Sequence, residues 1–423
     1  MLRLRSDSPN FSLFIKGILD NRARINNRVN DLVLKMIKMI SIYGDKAVLA
    51  YNKKFENTDS RIMRIKVKGD ISKVDIRELF KIKAEYDRIL RYHSYQKNND
   101  IFYKDNLNVT LGIKWTPLSN VGIYVPGGST TYISTILMNV IPAKIAGVKH
   151  IYIITPFHKV INKDLFMMCA DMCGVECIYT FGGAQAIIAL SLGTNIVRKV
   201  DKIVGPGNIY VNYAKKLMFG SIGVDSLAGP SEGVIVIDKF SNEWTASIDL
   251  ASQLEHDKQS MAVLITKMAK SASRIRSNIT SLMRVASRKH ILSYSWSSYG
   301  ITIICNNSNN LTNLINTLSP EHLQLCIKNP FMILNKINNA GTIFIGNNTP
   351  IAIGDYIAGP SHTLPTNTSS RFSSGLSVLD FLKKTSFVWL PSKHALRSLS
   401  RSCIFSSLAE GFELHALSVS CRL

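Results

Sequence analysis

VGIYVPGGSTTYISTILMNVIPAKIAGVKHIYIIT, from Val121 to Thr155, decides the fold. Two short apolar runs, Val121–Val125 and His150–Thr155, flank a helical pattern that Pro142 interrupts, with glycine-bearing turns between them. β-Branched runs on either side of a helix are the signature of a β-α-β unit, and such units build parallel sheets. The pattern recurs downstream. Val175–Phe181 and Lys199–Val204 read as two further strands, with Gln185–Leu192 as the intervening helix. A second series follows in Gly233–Ile237, Met261–Thr266, Ile301–Cys305 and Thr342–Ile345, separated by helices such as Trp244–Leu254 and Leu311–Thr317. Ligands of an open parallel sheet bind near the carboxyl ends of its strands.

On the amino-terminal side, Ile25, Val29, Leu32, Val33, Met36, Ile37 and Ile40 recur at helical steps before Gly44, and Val74 to Leu90 repeats the pattern less regularly. From Ser377 onward the chain reads as mostly helical, with a strand-like Phe387–Leu390. The expected fold is α/β, with two parallel-sheet, incomplete Rossmann-like domains and small helical N- and C-terminal extensions. The expected boundaries are 1–20 for the N-terminal extension, 21–123 with 232–375 for a discontinuous first α/β domain, 124–231 for the second, and 376–423 for the tail.

The 423 residues carry 51 Lys and Arg against 29 Asp and Glu, a net charge of +22. The basic residues are scattered, without aromatic interleaving or long runs, so the charge does not make a nucleic-acid interface and nucleic acid is an unlikely partner. Seven cysteines form no CxxC pair, which argues against a disulfide framework or a cysteine zinc site. Charges and Pro9 break any apolar stretch at the N-terminus, and no run is long enough to span a membrane, so the cytoplasm is the expected compartment.

GxxxxGK[ST] and HExxH are both absent, and Gly205-Pro-Gly207 begins a GxGxxG that Tyr210 breaks. What remains is a set of glycine loops at strand ends: Tyr124-Val-Pro-Gly-Gly-Ser129, Gly182-Gly-Ala-Gln185, Gly205-Pro-Gly-Asn208 and Ala228-Gly-Pro-Ser-Glu232. Each alone is compatible with a tight β-α turn, but together they suggest a shared cleft for phosphates or a ribose. Gln253 and His256 stand three residues apart in the helical stretch Ala246–His256, which places both on one face. Ser319-Pro-Glu-His322 reads as a helix start, with Glu321 and His322 in an exposed first turn. Asp355 to His362 and Glu410 to His415 add two acid–histidine groups. Carboxylate, imidazole and amide groups suit zinc, manganese or cobalt, provided the fold brings them together.

In the order VGIYVPGGS, GGAQA, VDKIVGPGN, AGPSE, QLEH, SPEHLQL, GDYIAGPSHTLPT and EGFELH, the chain closely resembles the histidinol dehydrogenase family over essentially its whole length. The resemblance implies a zinc- and NAD-dependent oxidation of L-histidinol to L-histidine through L-histidinaldehyde, with two NAD reduced per turnover. It implies Gln253, His256, Asp355 and His415 as zinc ligands, and Tyr124, Gln185 and Asn208 as NAD contacts, with 124–231 as the NAD side. It also implies Ser231, Gln253, His256, His322, Asp355, Glu410 and His415 around the substrate, with Glu321 and His322 as the acid–base pair. The family is a homodimer whose C-terminal segment crosses over, so Glu410 and His415 would complete the neighbouring subunit's site.

Departures from the family pattern fall at Gly233, Leu254, Pro360 and Ser361, and none removes a ligand. A thioester route through cysteine competes with the direct hydrate path for the second oxidation. The motifs favour the latter, because only Cys326 lies near one of them. Two other readings stand beside the main one: a related metal-dependent NAD dehydrogenase acting on another polar alcohol, and a non-catalytic basic binding protein on the same fold.

Overall fold

The structure, a computed structural model, describes residues 2–22, 26–56, 63–127, 132–227 and 229–423. Ile25, Gly128, Ser129 and Ala228, which belong to the sequence patterns above, lie outside the described residues. Among the described residues the strands are β1 (Leu2–Arg5), β2 (Arg64–Lys66), β3 (Ile101–Lys104), β4 (Thr110–Pro117), β5 (Asn120–Tyr124), β6 (His150–Ile154), β7 (Cys177–Tyr179), β8 (Lys202–Val204), β9 (Gly223–Val224), β10 (Glu232–Ile237), β11 (Met261–Thr266), β12 (Gly300–Ile304), β13 (His322–Cys326), β14 (Thr342–Ile345) and β15 (Leu382–Trp389).

One sheet has the order β2-β7-β6-β5-β8-β9 and is parallel except where β2 meets β7. A second sheet, β1-β12-β11-β10-β13-β14, is parallel throughout. Both are wound alike: the first strand of each series lies inside, the next two go to one side and the following two to the other. This is the doubly wound order, with its reversal between β5 and β8 in one sheet and between β10 and β13 in the other. Helices cover both faces of such sheets, so their strands read as unbroken apolar runs. β11, Met-Ala-Val-Leu-Ile-Thr, is buried at every residue.

The helix Ile133–Ala146 continues through Pro142, where the sequence suggested an interruption. A proline inside a helix costs about 3 kcal/mol. Here the residues Thr135–Ala143 are all buried, and that packing outweighs the lost hydrogen bond. The N-terminal segment carries the expected helix, Phe11–Arg22, and adds a strand before it. Leu2–Arg5 forms an edge strand beside Ile301–Ile304, and Ile15 of the following helix, Phe11–Arg22, joins the core with Val234 and Leu323.

The helices Asn27–Tyr43 and Ile76–Ser94 pack against the sheet of β5. Val29, Val33, Met36 and Ile40 of the helix Asn27–Tyr43 pack with Ile187 and Val211, because the apolar stripe needs a partner face and the helix Gly183–Leu192 supplies one. A third, antiparallel sheet, β15-β4-β3, includes the strand-like segment of the tail; β3 and β4 carried no recognised signal in the sequence. None of the described helices is long and apolar enough to cross a membrane.

Candidate active site

The carboxyl ends of the first sheet face the amino ends of the second across a cleft of about 1250 Å³, lined by Asn208, Asn212, Ser231, His256 and Met261 among others. The expectation of a site at strand carboxyl ends therefore describes only one wall. On that wall Gly205 adopts φ +112°, and a Cβ there would stand 2.2 Å from the Tyr124 carbonyl oxygen, so only glycine fits. Its N–H donates to Asp225 Oδ2 at 2.7 Å, while the fully buried Lys215 donates to its carbonyl and to Asp225 Oδ1 at 2.7 Å. The loop is thus pinned at both backbone atoms of one residue.

Asn208 caps the helix Ile209–Met218, accepting from the N–H groups of Tyr210 and Val211 at 3.1 Å, and lies exposed on the cleft wall. Tyr124 ends β5, and its hydroxyl accepts the Gly183 N–H at 3.2 Å; burial pushes that phenol up to about 12. Gln185 is buried and its amide donates to Asn52 Oδ1 at 3.1 Å, so this side chain is held by a neighbouring helix.

On the opposite wall the structure corrects the reading of Ser319-Pro-Glu-His322. Ser319 takes φ +46° and closes the preceding helix, Ser308–Leu318, and Pro320 leads into β13, so Glu321 and His322 are buried at a strand's amino end. Both residues depend on this placement. Glu321 Oε2 accepts the Glu232 N–H at 2.9 Å and lies 3.7 Å from His322 Nδ1. His322 Nε2 lies 3.7 Å from Asp355 Oδ1. Loss of solvation, with the nearby His256 and His362 rings, brings the His322 imidazole down to about 3, so it is neutral at neutral pH.

Asp355 sits on the short helix Ile351–Tyr356, and burial pushes its carboxyl up to about 7. His362 Nδ1 lies 2.9 Å from the Asp355 carbonyl oxygen; the sequence reading had noted its loop without assigning it to the site. Gln253 is buried on the helix Glu243–Leu254, and its Oε1 has no hydrogen-bond partner. Gly233 makes room for it, since a Cβ at 233 would stand 2.7 Å from Gln253 Cγ. That gives the departure at Gly233 a physical role.

His256 lies beyond the helix end at Leu254, not on a shared face with Gln253, and opens onto the cleft. Its surroundings and Arg288 hold its ring below the usual imidazole range. Ser231 lines the same cleft, and its carbonyl accepts the Met261 N–H at 2.9 Å. Glu410 and His415 are not drawn in; both are exposed on the tail. Among the described residues, no three His, Cys, Asp or Glu side chains gather closely enough to hold a metal. Cys326 is buried, and its thiol is pushed up to about 12, which makes it a poor nucleophile.

Two doubly wound sheets, with glycine loops at the carboxyl ends of one and a buried acid–imidazole pair at an amino end of the other, define an α/β protein with a polar site between its sheets. The chain belongs to the histidinol dehydrogenase family, whose model matches residues 19–423. It is 39% identical to "Histidinol dehydrogenase 1" of Trichormus variabilis, covering 100% of this chain and 99% of that protein, and 38% identical to the histidinol dehydrogenase of Agrobacterium fabrum, covering 99% and 98%. Its structure is similar to the crystal structure of histidinol dehydrogenase from Elizabethkingia anophelis, with TM-score 0.92 and 31% identity, covering 100% of this chain and 98% of that one.

Proposed function

We propose that the chain oxidises L-histidinol to L-histidine through L-histidinaldehyde in two NAD-linked steps, with one zinc per subunit. The observation that carries this reading is the buried Glu321–His322 pair beside Asp355 and the unpartnered amide oxygen of Gln253, in a chain of this family. The donor set fits zinc: an amide oxygen without a partner, a carboxyl pushed to about 7 and a neutral imidazole all gain from a cation among them. Gln253, His256 and Asp355 would hold the ion, with His415 reaching in from a second subunit. Bound zinc supplies orientation of the substrate's imidazole and amino nitrogens, and bound NAD supplies the hydride acceptor.

The chain's own residues handle the protons. Oxidising an alcohol carbon also requires removal of the hydroxyl proton, and the neutral His322 ring accepts it. For the second oxidation Glu321 activates the water that adds to the aldehyde. Its carboxylate is oriented for this by the Glu232 N–H. Tyr124, Gln185 and Asn208 form the NAD side, while Ser231, Glu410 and His415 complete the substrate's surroundings.

The tail supports a homodimer. The helices Lys393–Ala409 and Glu413–Ser420 pack on each other yet leave Phe405 74% and Leu414 78% exposed, an apolar surface suited to a second copy. The cytoplasm is the matching compartment. Purified protein given histidinol, NAD and zinc should form histidine; a folded, zinc-loaded protein that forms none refutes the reading.

A further inference from the structure

We propose that Glu56 is the carboxylate that receives the ribose hydroxyls of the dinucleotide and thereby sets a preference for NAD over its 2′-phosphorylated form. The inference rests on the NAD dependence proposed above. In a doubly wound dinucleotide fold an acidic residue downstream of the phosphate-binding turn commonly accepts from the ribose 2′-hydroxyl. Here the second strand of the series, β6, runs out into Thr155-Pro-Phe-His-Lys159, which contains no acid.

A carboxylate reaches this region from another element. The helix Asp45–Glu56 presents Asn52 and Glu56, four residues apart, on one face. Asn52 holds Gln185, as described, and Glu56 reaches the next loop residue inward: its Oε1 would lie 2.9 Å from a Cβ on Gly182. The side chain is 8% exposed, and its carboxylate accepts a hydrogen bond from the Gly182 backbone N–H, yet Oε2 has no hydrogen-bond partner; His158 Nδ1, whose ring is held below the usual imidazole range by burial and Lys159, is 4.0 Å away. On the other side, the charge of Glu56 acts on the Tyr124 phenol, and Gly127 packs against Pro156 and Lys159. Glu56 therefore stands where the carboxyl ends of β5, β6 and β7 converge.

Burial without a paired cation disfavours the charge of this carboxylate, and Lys159 offsets only part of that. A ribose hydroxyl pair would supply the donor that Oε2 lacks. A 2′-phosphate would instead bring like charge against it. A site built to hydrogen-bond a hydroxyl discriminates strongly against an analogue that lacks it, because the buried partner is left unpaired.

Calorimetric titration of the full chain with NAD and with NADP, without substrate, tests this directly. The unaltered protein should bind NAD at least about tenfold more tightly, and Glu56→Gln should weaken NAD about tenfold and bring the two affinities together, with an unchanged or raised melting temperature. If Glu56→Gln loses its cooperative melt, Glu56→Asp replaces it, and NAD binding should weaken while the preference persists. Unchanged affinities in the folded variant overturn the proposal and leave NAD dependence standing. An unaltered protein that binds no NAD overturns both.

Discussion

Lys215 and Asp225 form an ion pair at 2.7 Å with side chains 0% and 4% exposed, and between them they hold both backbone polar atoms of Gly205. Removing one partner leaves the other charged and buried. Lys215→Met should destabilise the chain by about 3–5 kcal/mol. It should also raise the KM for NAD more than it lowers kcat, because the loop ending in Asn208 loses its anchor. Thermal melts and steady-state kinetics on the one variant read both effects; an unchanged melting temperature would contradict the first.

His322→Asn should lower kcat by about 10²–10⁴-fold with zinc content intact, since the ring is proposed to move a proton and not to bind metal. Zinc measured by elemental analysis on the dialysed variant decides the matter, and its loss would make His322 a ligand. Gln253→Ala should behave in the opposite way, losing zinc first.

Glu321→Gln should separate the two oxidations. The alcohol step needs only His322, whereas addition of water to the aldehyde needs the carboxylate, so single-turnover reactions should form one NADH quickly and the second slowly. Equal slowing of both steps would show that Glu321 only positions His322.

His93 is fully buried, with Nδ1 2.7 Å from Gln96 Oε1 and Nε2 unpartnered, and burial holds its pKa below the usual imidazole range. The unfolded chain therefore takes up a proton that the folded chain refuses. Its contribution to stability is complete above about pH 6.5 and is lost as the pH falls from there toward the folded value. His93→Asn should flatten the dependence of melting temperature on pH between about 7.5 and 5. An identical slope in both proteins would assign the acid sensitivity to other groups.

The parallel sheets were legible because their inner strands are buried on both faces and announce themselves as apolar runs: Met261–Thr266, buried at every residue, forms as the sequence predicts, and the half-buried edge strand Thr342–Ile345 forms in the same sheet. The acid–imidazole pair was legible as a pair, but not in its setting. Serine before proline can close one helix as readily as open another, and Ser319 closes one with a left-handed turn. The alternation in His-Leu-Gln-Leu-Cys was the signal for a strand. Asn52 and Glu56 carried no signal at all, since two polar residues four apart on an ordinary amphipathic helix are commonplace, and only the packing of that helix on Gly182 and Gln185 distinguishes them. The tail was the hardest case, because the proposed partner surface for its exposed Phe405 and Leu414 lies outside the single chain.

Crystals of the zinc-loaded protein, measured at the zinc absorption edge, give the most direct test. The account expects one anomalous peak per subunit, enclosed by Gln253, His256 and Asp355 and closed by His415 of the second copy. A peak elsewhere, or a fully metallated dimer in which those four side chains stay apart, would contradict it.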